Sequence, residues 1–114
     1  MNRDVRKNLH IMTTTLMDSV DVLKAKGANE ELLALLERAV GIGKMSILYM
    51  DSLDEATVSN ALLTIKLAED IVNEPLTEIR DEKCTDLRRV VDSVEDLFRK
   101  KRYLLDGAEE KIIA

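Results

Sequence analysis

Apolar residues return every three or four positions through most of this chain, and that spacing constrains the fold more than any other feature. Val5, Leu9, Met12, Leu16 and Leu23 make one stripe, which predicts a helix over about 3–25 that Gly27 stops. Asn29, followed by Glu30 and Glu31, is placed to cap a second helix. This helix carries Leu32, Leu35, Leu36, Ala39, Val40, Ile42, Ile47, Leu48 and Met50, is apolar on more than one side, and is expected to be the most buried. Ser52 or Asp54 can cap a third helix, whose stripe is Val58, Ala61, Leu62, Ile65, Ala68 and Val72, up to Pro75. Beyond Pro75 the apolar positions are Leu76, Ile79, Cys84, Leu87, Val91, Val94 and Phe98.

The phase of that last stripe changes across the charged block Arg80-Asp81-Glu82-Lys83. A kink or a break near 80–85, with Thr85 capping a fifth helix, is therefore the alternative to one continuous helix. Gly107 is suited to end the helical region. Long helices on short connections must reverse at each one, so the expected architecture is an all-α, antiparallel four-helix bundle in a single domain, 1–107, with 108–114 as a tail.

Composition agrees with the periodicity. Among 114 residues there are no Trp, one Phe, two Tyr, one Pro and four Gly, which leaves a helix-forming repertoire with no strand signal. The single cysteine, Cys84, cannot form an intrachain disulfide and points to a reducing, cytoplasmic setting. Its place on the last apolar stripe reads as core, where a thiol is inert. No apolar run has the length to cross a membrane and no signal-peptide block opens the chain, so no membrane association is expected. The net charge is −5, and residues 54–74 hold five acids against one base. Nucleic-acid binding needs a basic face, so that balance argues against it. The one basic cluster, Arg99-Lys100-Lys101-Arg102, reads as cations at the C-terminal end of a helix.

Gly41-Ile42-Gly43-Lys44 raises the question of a phosphate-binding loop. Walker geometry anchored on Gly43-Lys44 needs glycine at 38 and a hydroxyl at 45, but these positions hold Arg38 and Met45. A dinucleotide fingerprint needs glycine at 46, which is Ser46. The stretch instead places small residues at Ala39, Gly43 and Ser46 near one helix face, which fits close packing against a neighbouring helix. Each mid-helix glycine costs about 1 kcal/mol relative to alanine, so a compensating role is expected.

Other chemistry is sparse. His10 is the only histidine and no Glu-x-x-His or Cys-x-x-Cys spacing exists, so neither a metal nor another cofactor is expected. Glu69, Asp70, Glu74 and Glu78 read as a solvated acidic face, with Lys66 spaced to pair with Asp70. His10 lies beside the first stripe, pointing outward. The segment HIMTTTLMDSV, residues 10–20, resembles the H-box of histidine-kinase dimerisation domains, with an apolar residue at Met12, threonine at Thr14 and leucine at Leu16. It departs from that pattern at Ile11, where an acid is usual, and at Thr15, where proline is usual. The resemblance implies histidine phosphotransfer in a phosphorelay, with His10 as phosphoacceptor.

The reading preferred over it is a non-enzymatic interaction or regulatory module. Ile11, Met17, Leu63, Leu67 and Tyr103 are apolar or aromatic residues that the core stripes leave unexplained, and they are the expected contact residues for a protein partner or a second copy in a homodimer.

Overall fold

The computed structural model describes residues 2–73 and 78–101. They form four α-helices: α1 (Asn2–Ala25), α2 (Glu30–Leu48), α3 (Glu55–Asn73) and α4 (Glu78–Lys101), with a single 3-10 turn at Met50–Ser52 between α2 and α3. The described residues make an all-α four-helix bundle. Gly43 of α2 lies against Thr13 of α1 and Ile65 of α3, while Arg38 of α2 reaches Asp92 and Glu95 of α4. α2 thereby meets each of the other three helices.

Local chemistry sets the helix ends. At the end of α1, Ala28 N–H donates to Leu23 O (3.0 Å) and Gly27 N–H to Lys24 O (3.1 Å), with Gly27 at φ +77°. This is a Schellman stop, and its left-handed residue is one that only glycine adopts without strain. Asn29 Oδ1 then accepts from the N–H groups of Glu31 (2.8 Å) and Leu32 (3.2 Å), opening α2. Asp54, rather than Ser52, caps α3: its Oδ1 accepts from Thr57 N–H at 2.8 Å, whereas Ser52 belongs to the 3-10 turn. That turn also shortens the second helix, expected to reach residue 50, and tucks Met50 into the core.

Of the two alternatives for the last helix, the continuous one is found. α4 runs unbroken from Glu78 through Thr85 to Lys101. Beyond the charged block, Leu87, Val91, Val94 and Phe98 follow one another at four, three and four residues and are all buried in a single stripe. Pro75, Leu76, Gly107 and the 108–114 tail lie outside the described residues, as do the contacts of Ile79.

The packing is a rhombus rather than a square. α2 and α3 each touch all three other helices, whereas α1 and α4 lie on opposite sides of the α2–α3 pair. Small residues explain the short diagonal: α2 turns Ala39, Gly43 and Ser46 inward, and α3 turns Thr57, Ala61, Thr64 and Ala68 inward, all buried. The buried face of α3 is therefore turned from its expected stripe, with Val58, Leu62 and Val72 at its half-buried margins. Thr64 can occupy the interior because its hydroxyl donates to Asn60 O at 2.8 Å. Larger side chains fill the space around the diagonal, among them Leu9, Leu16, Leu36, Ile65, Ile71 and Phe98. Each fully buried side chain of this size stabilises the fold by roughly 1.5–3 kcal/mol.

Candidate interaction surface

Ile11 stands on α1 with 53% of its surface exposed, directly opposite the buried Leu9, Leu16 and Val20. Leu63 stands on α3 at 44%, and Leu67, one turn further along the same face, is half-buried. Met17 is half-buried and lines a depression of about 280 Å³ between α1 and α2, together with Val20, Val40 and Gly41 and the charged Asp21, Glu37 and Lys44. Six residues separate Ile11 from Met17, which at about 100° per residue puts them on different sides of α1, so the two do not form one patch. Tyr103 lies outside the described residues.

Two further exposed side chains are Val22, at 52%, and Leu48, at 69%. The signal for Val22 was its distance from Ile11: eleven residues make three turns, so both share the outer face of α1. Leu48, expected among the core residues of α2, follows Gly41 by one heptad and shares that residue's outward side. A second depression, about 230 Å³ in volume, opens among Val5, Met50, Leu53, Val58 and Leu62, with Glu55 and Ser59 lining it as well. An ion pair between Arg6 and Asp51 (3.2 Å) ties α1 to the 3-10 turn.

Ala39, Gly43 and Ser46 occupy the inner face of α2. A Cβ placed on Gly43 would collide with Thr13 Oγ1 and would sit 2.9 Å from Thr13 Cγ2 and 3.0 Å from Ile65 Cδ1. Both γ atoms of Thr13 point at the glycine, so no staggered rotamer clears that space. Thr13 is itself only 2% exposed; its polar side chain kept it out of the expected stripe, where it fills the groove that a glycine leaves.

Arg38, which sits where a Walker loop would need glycine, is the main electrostatic link between helices. Its Nη2 donates to Glu95 Oε1 at 2.5 Å and to Asp92 Oδ1 at 2.6 Å, and its Nε to Glu95 Oε2 at 3.3 Å, fastening α2 to α4. Hydrogen bonds to Glu95, then to Asp92, raise its pKa further above the ordinary arginine range. On α3, burial and then the neighbouring Asp70 charge push the Glu69 carboxyl above its usual range, against a smaller opposing effect of Lys66.

His10 is exposed on α1. Cys84, expected in the core, is half-buried at its margin. Among the described residues, no three His, Cys, Asp or Glu side chains converge as metal ligands, and no helix is long and apolar enough to cross a membrane. No protein-family model, curated protein or solved structure matches the chain.

Proposed function

We propose that this chain is a non-enzymatic helical module of the cytoplasm that acts by contact with protein partners. The observation that carries the reading is the exposure of Ile11, Val22, Leu48 and Leu63 on outward helix faces, opposite stripes that already complete a core. A polar residue at any of these positions would leave the buried stripes unchanged, so the core does not account for their apolar character. Affinity capture from the source cells, with the wild type, Ile11→Glu and Leu63→Glu as baits, tests this. The reading expects a protein held by the wild type and lost by a variant whose melting temperature is unchanged. An identical captured set for all three baits contradicts it.

A second reading, phosphotransfer through His10, draws on the exposure of that imidazole on a bundle helix. Incubation with phosphoramidate followed by phosphohistidine detection separates the two readings. Signal in the wild type and none in His10→Gln would favour phosphotransfer, and no signal in either would leave contact as the function.

A further inference from the structure

We propose that the outer strip of α2 pairs antiparallel with the same strip of a second copy, about a two-fold axis passing at Gly41. The inference rests on the contact reading above and names both the partner and the face.

The strip reads Ala34, Glu37, Gly41, Lys44, Leu48, at steps of three and four that keep it on one side of the helix. Four of these residues are exposed and Gly41 is half-buried. α1 and α4 pack to either side of α2, so the strip stays uncovered between them. Gly41 sits on the crest between two shallow depressions, one shared with Met17 and Val20 of α1 and the other with Glu95 and Phe98 of α4. Nothing inside the monomer needs a glycine there, because an added Cβ would meet no atom within 4 Å. A bare backbone on a crest, with a groove on each side, suits a helix crossing at close range.

The order of residues selects the occupant. Read from Ala34, the strip runs small, acidic, small, basic, large; an antiparallel copy presents large, basic, small, acidic, small. Leu48, the most exposed large apolar side chain described, then faces the partner subunit's Ala34, where a methyl group leaves room. Glu37 lies four residues before Gly41 and Lys44 three after it, so across the axis each comes within one residue of the partner subunit's oppositely charged side chain, a step of about 1.5 Å along the helix that both side chains can span. Gly41 meets its own equivalent at the axis. Arg38 stays out of the contact because Asp92 and Glu95 already hold it toward α4. A strip that sets large against small and acid against base on reversal fits a second copy of this chain, the arrangement that an isologous interface requires.

Sedimentation velocity across roughly 1 μM to 1 mM tests the pairing, because a contact built on one helix pair falls in the small, weak class of interfaces. The mass should rise with concentration from 12.9 kDa toward twice that value. Glu37→Lys and Lys44→Glu should each weaken association by about tenfold or more, and the double variant should restore it, since reversal keeps the pairing complementary. Gly41→Glu should abolish association without lowering the melting temperature, which separates a lost interface from a lost fold. A mass of 12.9 kDa at every concentration overturns the proposal, as does a dimer indifferent to Gly41→Glu and to the charge reversals. A monomer that still captures a protein lost from Ile11→Glu or Leu63→Glu overturns self-pairing alone and leaves the contact reading in place. A monomer that captures nothing contradicts both.

Discussion

The inner and outer faces of α2 are built from similar parts in opposite surroundings. Gly43 faces inward, where Thr13 and Ile65 fill the space that a side chain would need. Gly41, two residues earlier, faces outward with no atom within reach of an added Cβ. Leu36 is wholly buried, whereas Leu48 is the most exposed large apolar side chain described. The same residue type therefore does different work on each face. Inside, glycine sets how closely three helices approach; outside, its helix penalty of about 1 kcal/mol has no offset within the monomer.

Substitutions can break this comparison or sharpen it, and the leucines give the widest contrast. Leu36→Ala should cost about 2–5 kcal/mol in urea denaturation, through lost burial and the cavity left behind. Leu48→Ala should stay within about 0.5 kcal/mol, as a surface change away from caps and networks. Equal losses would show that Leu48 is covered and the outer face wrongly drawn. Next is Gly43→Leu, which should destabilise by roughly 1–3 kcal/mol through overpacking although leucine is the better helix former. A stability at or above wild type would remove the close approach from the account.

Arg38 lies at the edge between the two faces, and its effect should be smaller. Arg38→Met should cost about 1 kcal/mol or less, because the guanidinium and the Asp92 carboxylate are both partly in water. The loss should shrink in concentrated salt, which screens the pair. A loss independent of salt would assign the role of Arg38 to the packing of its stem.

The smallest expected effect belongs to Glu69. Because its folded pKa is raised, the folded state holds that proton more tightly than the unfolded chain does. The resulting stability is complete below the ordinary glutamate range and is lost as pH rises through the folded value. Glu69→Gln should flatten that part of the stability profile and change neutral-pH stability by no more than about 0.5 kcal/mol, in the stabilising direction. An unaltered profile would mean that the carboxyl is as well solvated folded as unfolded.

Much of the fold was legible because α1, α2 and α3 each announce themselves twice, once by a stripe and once by a terminus. Gly27 and Asn29 were both readable as stop and start, and both make the hydrogen bonds their chemistry suggests. The phase of the inner faces was less legible. Thr13, Thr57 and Thr64 are buried where an apolar count passes them over, because threonine offers a methyl group to a narrow interior and can return its hydroxyl to the backbone, as Thr64 does. The clamp at Arg38 could not be foreseen, since its partners lie more than fifty residues along the chain. Exposure of Ile11 and Leu63 followed from their distance from the stripes. Leu48 was missed because an apolar residue on an almost wholly apolar helix carries no sign of which face it joins.

The most direct test replaces each α2 glycine with alanine and compares the two by urea denaturation. At Gly41, alanine adds a methyl group in open space and should stabilise by up to about 1 kcal/mol. At Gly43, the same methyl group meets Thr13 and Ile65 and should destabilise by about 1 kcal/mol or more. Opposite signs are the predicted result; shifts of the same sign and size would contradict the assignment of an inner and an outer face to this helix.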